Sequence, residues 1–296
     1  MNNLAILKAI MKPLKPLIGS GIGNNKLVRK LIGLLLSVVP RQSVIVEANG
    51  CKIEIEIGGG SGLDCLAPGL IFGGGYEPMT TEVFKSMVKP GMTILDVGAH
   101  IGYYTLLASK IAGDMGWVFA FEPDPINFAG LERNIELNGF SNITTFKMAV
   151  SDYNGKGKLF VSGNFTGERS LIDVKGRPKD NIEVGVEKLD SIIWGKIDII
   201  KIDVDGGEVG VLRGAERIIN SNPDIKIITE FWKPGLEAAG FDCATYWFTL
   251  RRLGFNHIYL IDEKGQQITR TNLGSALKYV HKQQGVNLLC CKREKA

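Results

Sequence analysis

The stretch DVGAHIG, which begins at Asp96, directly follows a short apolar run and contains the first residues suited to chemistry. Gly98 and Gly102 allow a sharp turn, because glycine tolerates positive φ and leaves room for a ligand against the backbone. The dinucleotide fingerprint GxGxxG is the alternative, but His100 and Tyr103 stand where its second and third glycines would lie. Asp96 would also repel a pyrophosphate. The stretch therefore favours a ligand with ammonium and sulfonium groups and no phosphate.

Further candidate residues end the next two apolar runs. Glu122 ends WVFAF, 20 residues beyond Gly102, and a carboxylate at this place can accept two hydrogen bonds from a ribose diol. The alternative for Glu122 is a solvated acid that precedes Pro123. Ala149 and Val150 end the third run, where small apolar side chains can flank an adenine ring.

Two charged residues, Lys201 and Asp203, interrupt an otherwise apolar run. Buried charges are costly unless they are paired, so two on same-side positions indicate a pocket. The alternative is a purely structural bridge between Lys201 and an acid. Glu230 is a further polar residue at the end of the run IKIITEF.

These residues lie at the ends of predicted elements that alternate between strands and helices. Strands are predicted at 93–97, 117–121, 143–149, 197–204, 226–231, 257–261 and 286–291, and helices at 80–88, 103–111, 125–137, 208–219 and 245–253. This alternation is typical of an α/β fold with a mostly parallel sheet covered on both faces, whose ligands bind beyond the carboxyl ends of the strands. The last two strands have no clear helix between them, which predicts an antiparallel pair at one edge.

The length of 296 residues suits one large domain with an N-terminal extension. We predict a basic amphipathic helical extension over 1–43, a β-hairpin and lead-in over 44–88, and the main domain over 89–296. The turn of the hairpin is placed at Asn49–Gly50, a strong hairpin signal, and a glycine-rich connection follows at 58–75. Within the main domain, 158–161 and 182–186 are predicted to pair as a short excursion around a loop at 162–181.

The net charge of +4 is concentrated at the N-terminus, where seven basic residues and no acidic residue precede Glu47. The remainder is slightly acidic, so a nucleic-acid-binding surface is not expected. The basic segment suits either a packed helical lid or a peripheral membrane contact through residues 1–40. No run reaches the ~20 apolar residues that span a bilayer. Five cysteines without framework spacing predict free thiols in a reducing compartment. We therefore expect a cytoplasmic protein, with membrane association as an open alternative.

Taken together, TILDVGAHIGYYTLL, FAFEPDP, MAVSD and IKIDVDGGEVGVLRGA resemble the FkbM-type S-adenosylmethionine-dependent methyltransferases in order and spacing. The lead-in GGGYEP (73–78) is similar to that family too, and the resemblance covers about residues 44–230. It implies a seven-stranded Rossmann-like methyltransferase sheet, mostly parallel, with an antiparallel last strand. It also implies transfer of a methyl group from S-adenosylmethionine, commonly to a hydroxyl of a sugar or secondary metabolite.

The resemblance also implies roles for individual residues. It puts Asp96, Gly98 and Gly102 at the methionine end of the cofactor, Glu122 on the ribose, Ala149 and Val150 near adenine, and Asp203 beside the methionine moiety. The chain departs from the family pattern at His100, where asparagine is usual, and at Asp205, where glutamate is usual.

Transfer to a hydroxyl needs a general base, and Glu230 and Asp203 are the carboxylates best placed by strand position. His100 is a third candidate, and Lys201 could polarise the acceptor or anchor an acid. No spacing resembles a zinc site, so no metal is predicted, although Asp203, Asp205 and Glu230 carry the oxygen ligands that Mg²⁺ prefers. The expected partner is a small-molecule or glycan acceptor and no nucleic acid. An NAD-dependent oxidoreductase and a non-catalytic nucleotide-binding module are the alternatives.

Overall fold

The computed structural model describes residues 42–57, 69–70, 75–161, 169–174, 180–282 and 285–294. The predicted basic extension lies outside the described residues except for its last two positions, and so do Cys65 and parts of both long connections at 58–75 and 162–181. Of the helices that the structure describes, none has the length and apolar character needed to cross a membrane.

Within these residues the chain forms fourteen strands and nine helices. The strands are β1 (Gln42–Ala48), β2 (Cys51–Ile57), β3 (Thr93–Val97), β4 (Trp117–Phe121), β5 (Ile143–Phe146), β6 (Ala149–Val150), β7 (Gly155–Val161), β8 (Arg169–Ser170), β9 (Asp180–Glu187), β10 (Ile199–Ile202), β11 (Lys226–Phe231), β12 (His257–Asp262), β13 (Gln267–Arg270) and β14 (Val286–Cys291). The helices are α1 (Pro78–Met87), α2 (Tyr103–Ala112), α3 (Pro125–Asn138), α4 (Leu189–Ile192), α5 (Glu208–Gly214), α6 (Glu216–Ser221), α7 (Lys233–Ala238), α8 (Cys243–Arg252) and α9 (Leu273–Lys282).

The larger sheet has eight strands in the order β13-β12-β14-β11-β10-β3-β4-β5. Strands β5, β4, β3, β10 and β11 pair in parallel, and β14 runs antiparallel to both of its neighbours. This confirms a mostly parallel Rossmann-like sheet with an antiparallel last strand, and β13 adds an eighth strand at the edge. The predicted pairing of the last two long strands is also confirmed, but β14 lies between β11 and β12 instead of at the edge.

A helix that the sequence reasoning missed, α9, connects β13 to β14. Its apolar residues Leu273, Ala276, Leu277 and Val280 follow the spacing of one helical face. They pack into a hydrophobic core on one face of the large sheet. The signal was therefore present, but the pattern covers only ten residues. With α9 in place, β14 can return antiparallel into the middle of the sheet.

A smaller sheet, in the order β6-β9-β7-β8, forms the predicted excursion, because β7 and β9 pair antiparallel. The single strand predicted over 143–149 is wrong in its second half. The chain leaves the large sheet after Phe146, and Ala149 and Val150 pair in parallel with β9. Both residues therefore belong to the smaller sheet.

Two hydrophobic cores cover the opposite faces of the large sheet. Neighbouring strand residues contribute to different cores, as Ile94 and Leu95 do, because successive side chains point to opposite faces of a strand. One core includes the hairpin, α1 and α2, and the other includes residues from α5 to α9. The four described cysteines, Cys51, Cys243, Cys290 and Cys291, are buried and are not in disulfides.

The hairpin of β1 and β2 turns at Asn49 and Gly50, which have φ values of 53° and 69°. Positive φ at both positions is what the predicted two-residue turn requires. The side-chain oxygens of Asn134 and Asn138 on α3 accept hydrogen bonds from the backbone of β2 at 2.7 and 2.8 Å. The hairpin is therefore fixed to the helix that follows β4.

Candidate functional site

The candidate site is a cavity of about 320 Å³ at the carboxyl ends of the parallel strands. It lies where β3 and β10 are neighbours, and the chain proceeds in opposite directions along the sheet from these two strands. Such a switch point is where open α/β sheets bind ligands. The cavity is lined by nine of the ten predicted site residues: Asp96, Gly98, His100, Glu122, Ala149, Val150, Lys201, Asp203 and Glu230.

Gly98 is required by a close approach between the ends of β3 and β10. Its φ is +85°, and a Cβ atom at this position would lie 1.9 Å from the backbone oxygen of Asp203. Gly102, the tenth predicted residue, is not among the lining residues. Its φ is +97°, a backbone conformation that favours glycine, and a Cβ atom there would also lie 2.7 Å from the end of the Leu131 side chain. Its contact with a cofactor stays a prediction.

Glu122 is buried, and backbone N–H groups hold its carboxylate. The N–H of His100 donates to Oε2 at 2.8 Å, and the N–H of Asp124 donates to Oε1 at 2.9 Å. Burial raises the pKa of the Glu122 carboxyl. Because a carboxylate offers about four acceptor positions, both oxygens can still accept from a ribose diol. His100 has a φ of +54°, a conformation that histidine and asparagine tolerate better than most residues.

Lys201 is buried at the centre of a group of acids. Its Nζ lies 2.8 Å from Oδ2 of Asp203 and 4.5 Å from the ring centroid of Tyr104. Burial alone would lower the pKa of Lys201, but Asp203, Glu77 and Asp96 outweigh burial and raise it. Lys201 is therefore protonated at neutral pH. The two interpretations of Lys201 from the sequence, a structural bridge to an acid and a residue of a pocket, are compatible, since it is ion-paired and also lines the cavity.

Asp96 lies beside this lysine at the end of β3 and is 2% exposed. Its Oδ2 accepts a hydrogen bond from the hydroxyl of Thr105 at 2.6 Å. Burial raises the pKa of the Asp96 carboxyl, and the charge of Lys201 opposes that rise. The lysine thus favours the ionised form of an acid that faces the cavity.

Glu77 lines the cavity but was not predicted as a site residue. Its carboxylate accepts hydrogen bonds from Tyr104 Oη at 2.9 Å and Asn287 Nδ2 at 3.0 Å. Burial raises its pKa to about 7. The carboxylate of Glu263 accepts from the N–H groups of Met79 and Thr80 and so holds the start of α1. In the sequence, the only feature that could have identified Glu77 as a site residue was its position within the motif GGGYEP.

Glu230 is half-buried at the end of β11, and Gly285 leaves room for it, since a Cβ atom there would lie 2.8 Å from Oε1. Within the described residues its carboxylate has no hydrogen bond or ion pair. Burial, with a contribution from Asp203 and Asp205, raises the pKa of Glu230 well above its ordinary value. A carboxylate with a raised pKa is a stronger proton acceptor once ionised. Nowhere in the described ranges do three His, Cys, Asp or Glu side chains form a group able to hold a metal ion.

Glu208, at the start of α5, gives the fold a predictable pH dependence. It is fully buried, and Oε1 accepts from the N–H of Gly206 at 3.1 Å, while Oε2 has no hydrogen-bond partner among the described residues. Burial raises its pKa from 4.5 to about 7. The folded state therefore binds this proton more tightly than the unfolded state, so the stabilisation is present below about pH 4.5 and is lost as the pH rises through 7.

We expect the free energy of unfolding to fall between pH 5 and pH 8, with Glu208 contributing on the order of 2–3 kcal/mol. Urea denaturation of Glu208→Gln should show a shallower pH dependence than the wild type. Glu216→Gln, which removes an exposed acid from the neighbouring helix, is the matched control and should keep the wild-type slope. An unchanged slope in Glu208→Gln would contradict this account.

Comparison with known proteins agrees with the motifs. The family model described as the methyltransferase FkbM domain matches residues 96–256. A ribosomal protein L11 methyltransferase of Thermosipho africanus is 30% identical over 139 residues, which are 46% of this chain and 52% of the relative. A second such enzyme, from Bacillus cereus, is 35% identical over 83 residues. The chain spans about half the length of the first relative and 26% of the second.

Two solved structures have lower identity. The FkbM methyltransferase of Methylobacillus flagellatus is 17% identical, with a TM-score of 0.43, over 71% of this chain and 50% of that one. A SAM-dependent methyltransferase of Aquifex aeolicus is 16% identical, with a TM-score of 0.40, over 72% and 88%. The family assignment rests on the domain match, which covers just over half of the chain. The chain therefore belongs to the FkbM-type family of S-adenosylmethionine-dependent methyltransferases.

Proposed function

We propose that this methyltransferase acts on a hydroxyl group of a sugar, glycan or secondary metabolite. Bound S-adenosylmethionine supplies an electrophilic methyl group on a sulfonium, a good leaving group. The observation that carries the proposal is the carboxylate of Glu230, which lines the cavity and has no polar partner among the described residues. A hydroxyl must lose its proton during methyl transfer, and a carboxylate of raised pKa suits that task.

The lining residues divide into a donor side and an acceptor side. On the donor side, Asp96, Gly98 and Asp203 would hold the methionine end, Glu122 the ribose, and Ala149 and Val150 the adenine. The fit is supported by acids in place of phosphate-binding groups and by a cavity of about 320 Å³, within the usual range for ligand pockets. Correct placement of donor and acceptor can contribute roughly 7–11 kcal/mol to lowering the barrier.

On the acceptor side, Glu230 would accept the proton, and Lys201 would hold the Asp203 side chain in place. The ion pair of 2.8 Å supports this division of roles, because a lysine so paired cannot act as the base. Asp203 is already ion-paired with Lys201, so it is less suited than Glu230 to act as the base. For His100, the backbone contact with Glu122 supports a structural role in the loop between β3 and α2 (residues 98–102), called the donor loop below.

The charge of the cavity supports a neutral or cationic acceptor and not a nucleic acid. Glu77, Asp203, Asp205 and Glu230 lie on its wall. The lysine and arginine among its described lining residues, Lys201 and Arg169, are both ion-paired to acids. A phosphate-bearing acceptor would therefore meet no unpaired lysine or arginine on the described part of this wall. The same lack of an unpaired cation disfavours the pyrophosphate of NAD.

A second candidate is methylation of an amine. The relatives with 30–35% identity are named for the methylation of a ribosomal protein, and the acid-lined cavity would also attract an amino group. The same carboxylate could then remove a proton from nitrogen. The geometry favours the hydroxyl, because a hydroxyl must lose its proton during the transfer and a carboxylate such as Glu230 helps it more than it helps a neutral amine.

Calorimetry with S-adenosylmethionine, S-adenosylhomocysteine and NADH tests the donor, and only the first two should bind. Release of S-adenosylhomocysteine is then measured against a panel of neutral glycans and polyols, their amino-sugar counterparts, ribosomal proteins and the corresponding sugar phosphates. Turnover with hydroxyl acceptors is expected. Turnover that requires an amino group would favour the second candidate, and turnover confined to phosphates would contradict both.

A further inference from the structure

The short strand β8 crosses the cavity above the end of β3. At one end Arg169 is ion-paired with Asp124, which follows β4. At the other end the hydroxyl of Ser170 donates to the backbone oxygens of Val204 at 3.1 Å and Asp205 at 2.9 Å, which follow β10. In the large sheet β3 lies between β4 and β10. Both residues of β8 also line the cavity, so they form part of its wall.

The Arg169 side chain is 9% exposed and that of Asp124 is 1% exposed. Asp124 Oδ1 accepts from the N–H groups of Ile126 and Asn127, both at 2.9 Å, which caps α3. Asp124 Oδ2 accepts from Nη1 of Arg169. Both carboxylate oxygens are therefore engaged, and the guanidinium is held in one orientation.

The remaining feature of Arg169 is its Nε, which is buried and has no hydrogen-bond partner among the described residues. A buried donor without an acceptor is costly, and native structures contain few of them. Asp124 does not satisfy this donor, since its oxygens accept from Nη1 of Arg169 and from the start of α3 and neither is hydrogen-bonded to Nε. An acceptor atom supplied by a ligand in the cavity would remove the cost.

The contacts of Asp124 place Arg169 on the donor side. The N–H of Asp124 donates to Glu122 Oε1 at 2.9 Å, so Arg169 is linked to the carboxylate assigned to the ribose. Lys201 and Glu230 belong to β10 and β11, on the other side of β3. The Asp124 carboxylate also offsets the positive charge of Arg169, so that a sulfonium nearby is not repelled.

We propose that Arg169 is a donor-binding residue whose Nε–H donates a hydrogen bond to the adenosine half of S-adenosylmethionine, either to a ribose hydroxyl or to a ring nitrogen of adenine. This inference rests on the proposed function. It assigns to β8 a direct part in donor recognition that no sequence motif indicated.

The test compares Arg169→Lys with the wild type by calorimetry, using S-adenosylhomocysteine and 5′-methylthioadenosine, which lacks the amino-acid portion. Lysine keeps the charge beside Asp124 but has no Nε–H at that place. Affinity should fall about tenfold for both ligands and by the same factor, while the thermal unfolding midpoint stays close to the wild-type value. Arg133→Lys, at an exposed ion pair with Glu54, is the matched control and should bind both ligands normally.

The 2′-deoxy form of 5′-methylthioadenosine completes a double-mutant cycle. Loss of this hydroxyl should weaken wild-type binding more than Arg169→Lys binding if the 2′-hydroxyl is the acceptor, and equally if another atom of the adenosine half is. Unchanged affinity of Arg169→Lys for 5′-methylthioadenosine, or a loss confined to S-adenosylhomocysteine, would overturn the inference while the proposed function stands. Failure of the wild type to bind either ligand would overturn both.

Discussion

Glu230→Gln is expected to lower turnover by about 10²- to 10⁴-fold and to leave the affinity for S-adenosylhomocysteine at the wild-type value. Glutamine has nearly the same shape but cannot accept the proton of the acceptor hydroxyl. Donor binding is unaffected because the residues assigned to the donor lie at the end of β3, after β4, on β6 and after β10, whereas Glu230 lies near the end of β11. Turnover is measured as S-adenosylhomocysteine release and affinity by calorimetry.

The pH profile separates a base from a structural acid. Burial raises the pKa of Glu230, and Asp203 and Asp205 add to the rise, so the carboxylate ionises only at higher pH than an ordinary glutamate. Wild-type turnover should therefore rise with pH through that pKa and then level off, and the residual activity of Glu230→Gln should lack this rise. Glu237→Gln, at an exposed ion pair on the next helix, is the control. Full activity in Glu230→Gln would reject the role of base.

The predicted part of the site was accessible from sequence for a geometric reason. Asp96, Glu122, Lys201 and Glu230 stand at or near the ends of β3, β4, β10 and β11, four adjacent strands that run parallel to one another. Parallel strands bring their carboxyl ends to one edge, so polar residues that end apolar runs must meet there. The order of the sheet itself needed the family resemblance, since alternation alone does not determine which strands are neighbours.

The residues that were missed depend on contacts that no local pattern encodes. Glu77 is hydrogen-bonded to Asn287, 210 positions away, and Glu263 holds the start of α1 from 184 positions away. Arg169, on β8 of the smaller sheet, is ion-paired with Asp124, 45 positions away. In each case the side chain is polar and its sequence neighbourhood is irregular, so neither periodicity nor spacing distinguishes it from an exposed loop residue.

Gly98→Ala is expected to lower turnover by about 100-fold, because misplacement of reacting groups by about 1 Å has effects of this size, and to weaken the binding of S-adenosylhomocysteine. The new Cβ would lie 1.9 Å from the backbone oxygen of Asp203. Neither partner can yield alone, since the N–H of Asp203 donates to Val97 at 3.0 Å and the N–H of Gly98 donates to Phe121 at 3.0 Å. The ends of β3 and β10 must therefore separate, and the donor loop moves with them.

Gly91→Ala separates this clash from the cost of the backbone conformation. Gly91 has a φ of +80°, close to the +85° of Gly98, but a Cβ atom there would meet nothing within 4 Å. Alanine at Gly91 therefore bears only the cost of left-handed backbone, about 1–2 kcal/mol of stability, and should bind S-adenosylhomocysteine as the wild type does. Calorimetry and urea denaturation of both variants give the comparison. If Gly98→Ala bound the product as tightly as Gly91→Ala, the contact between the β3 loop and Asp203 would not be what shapes the donor site.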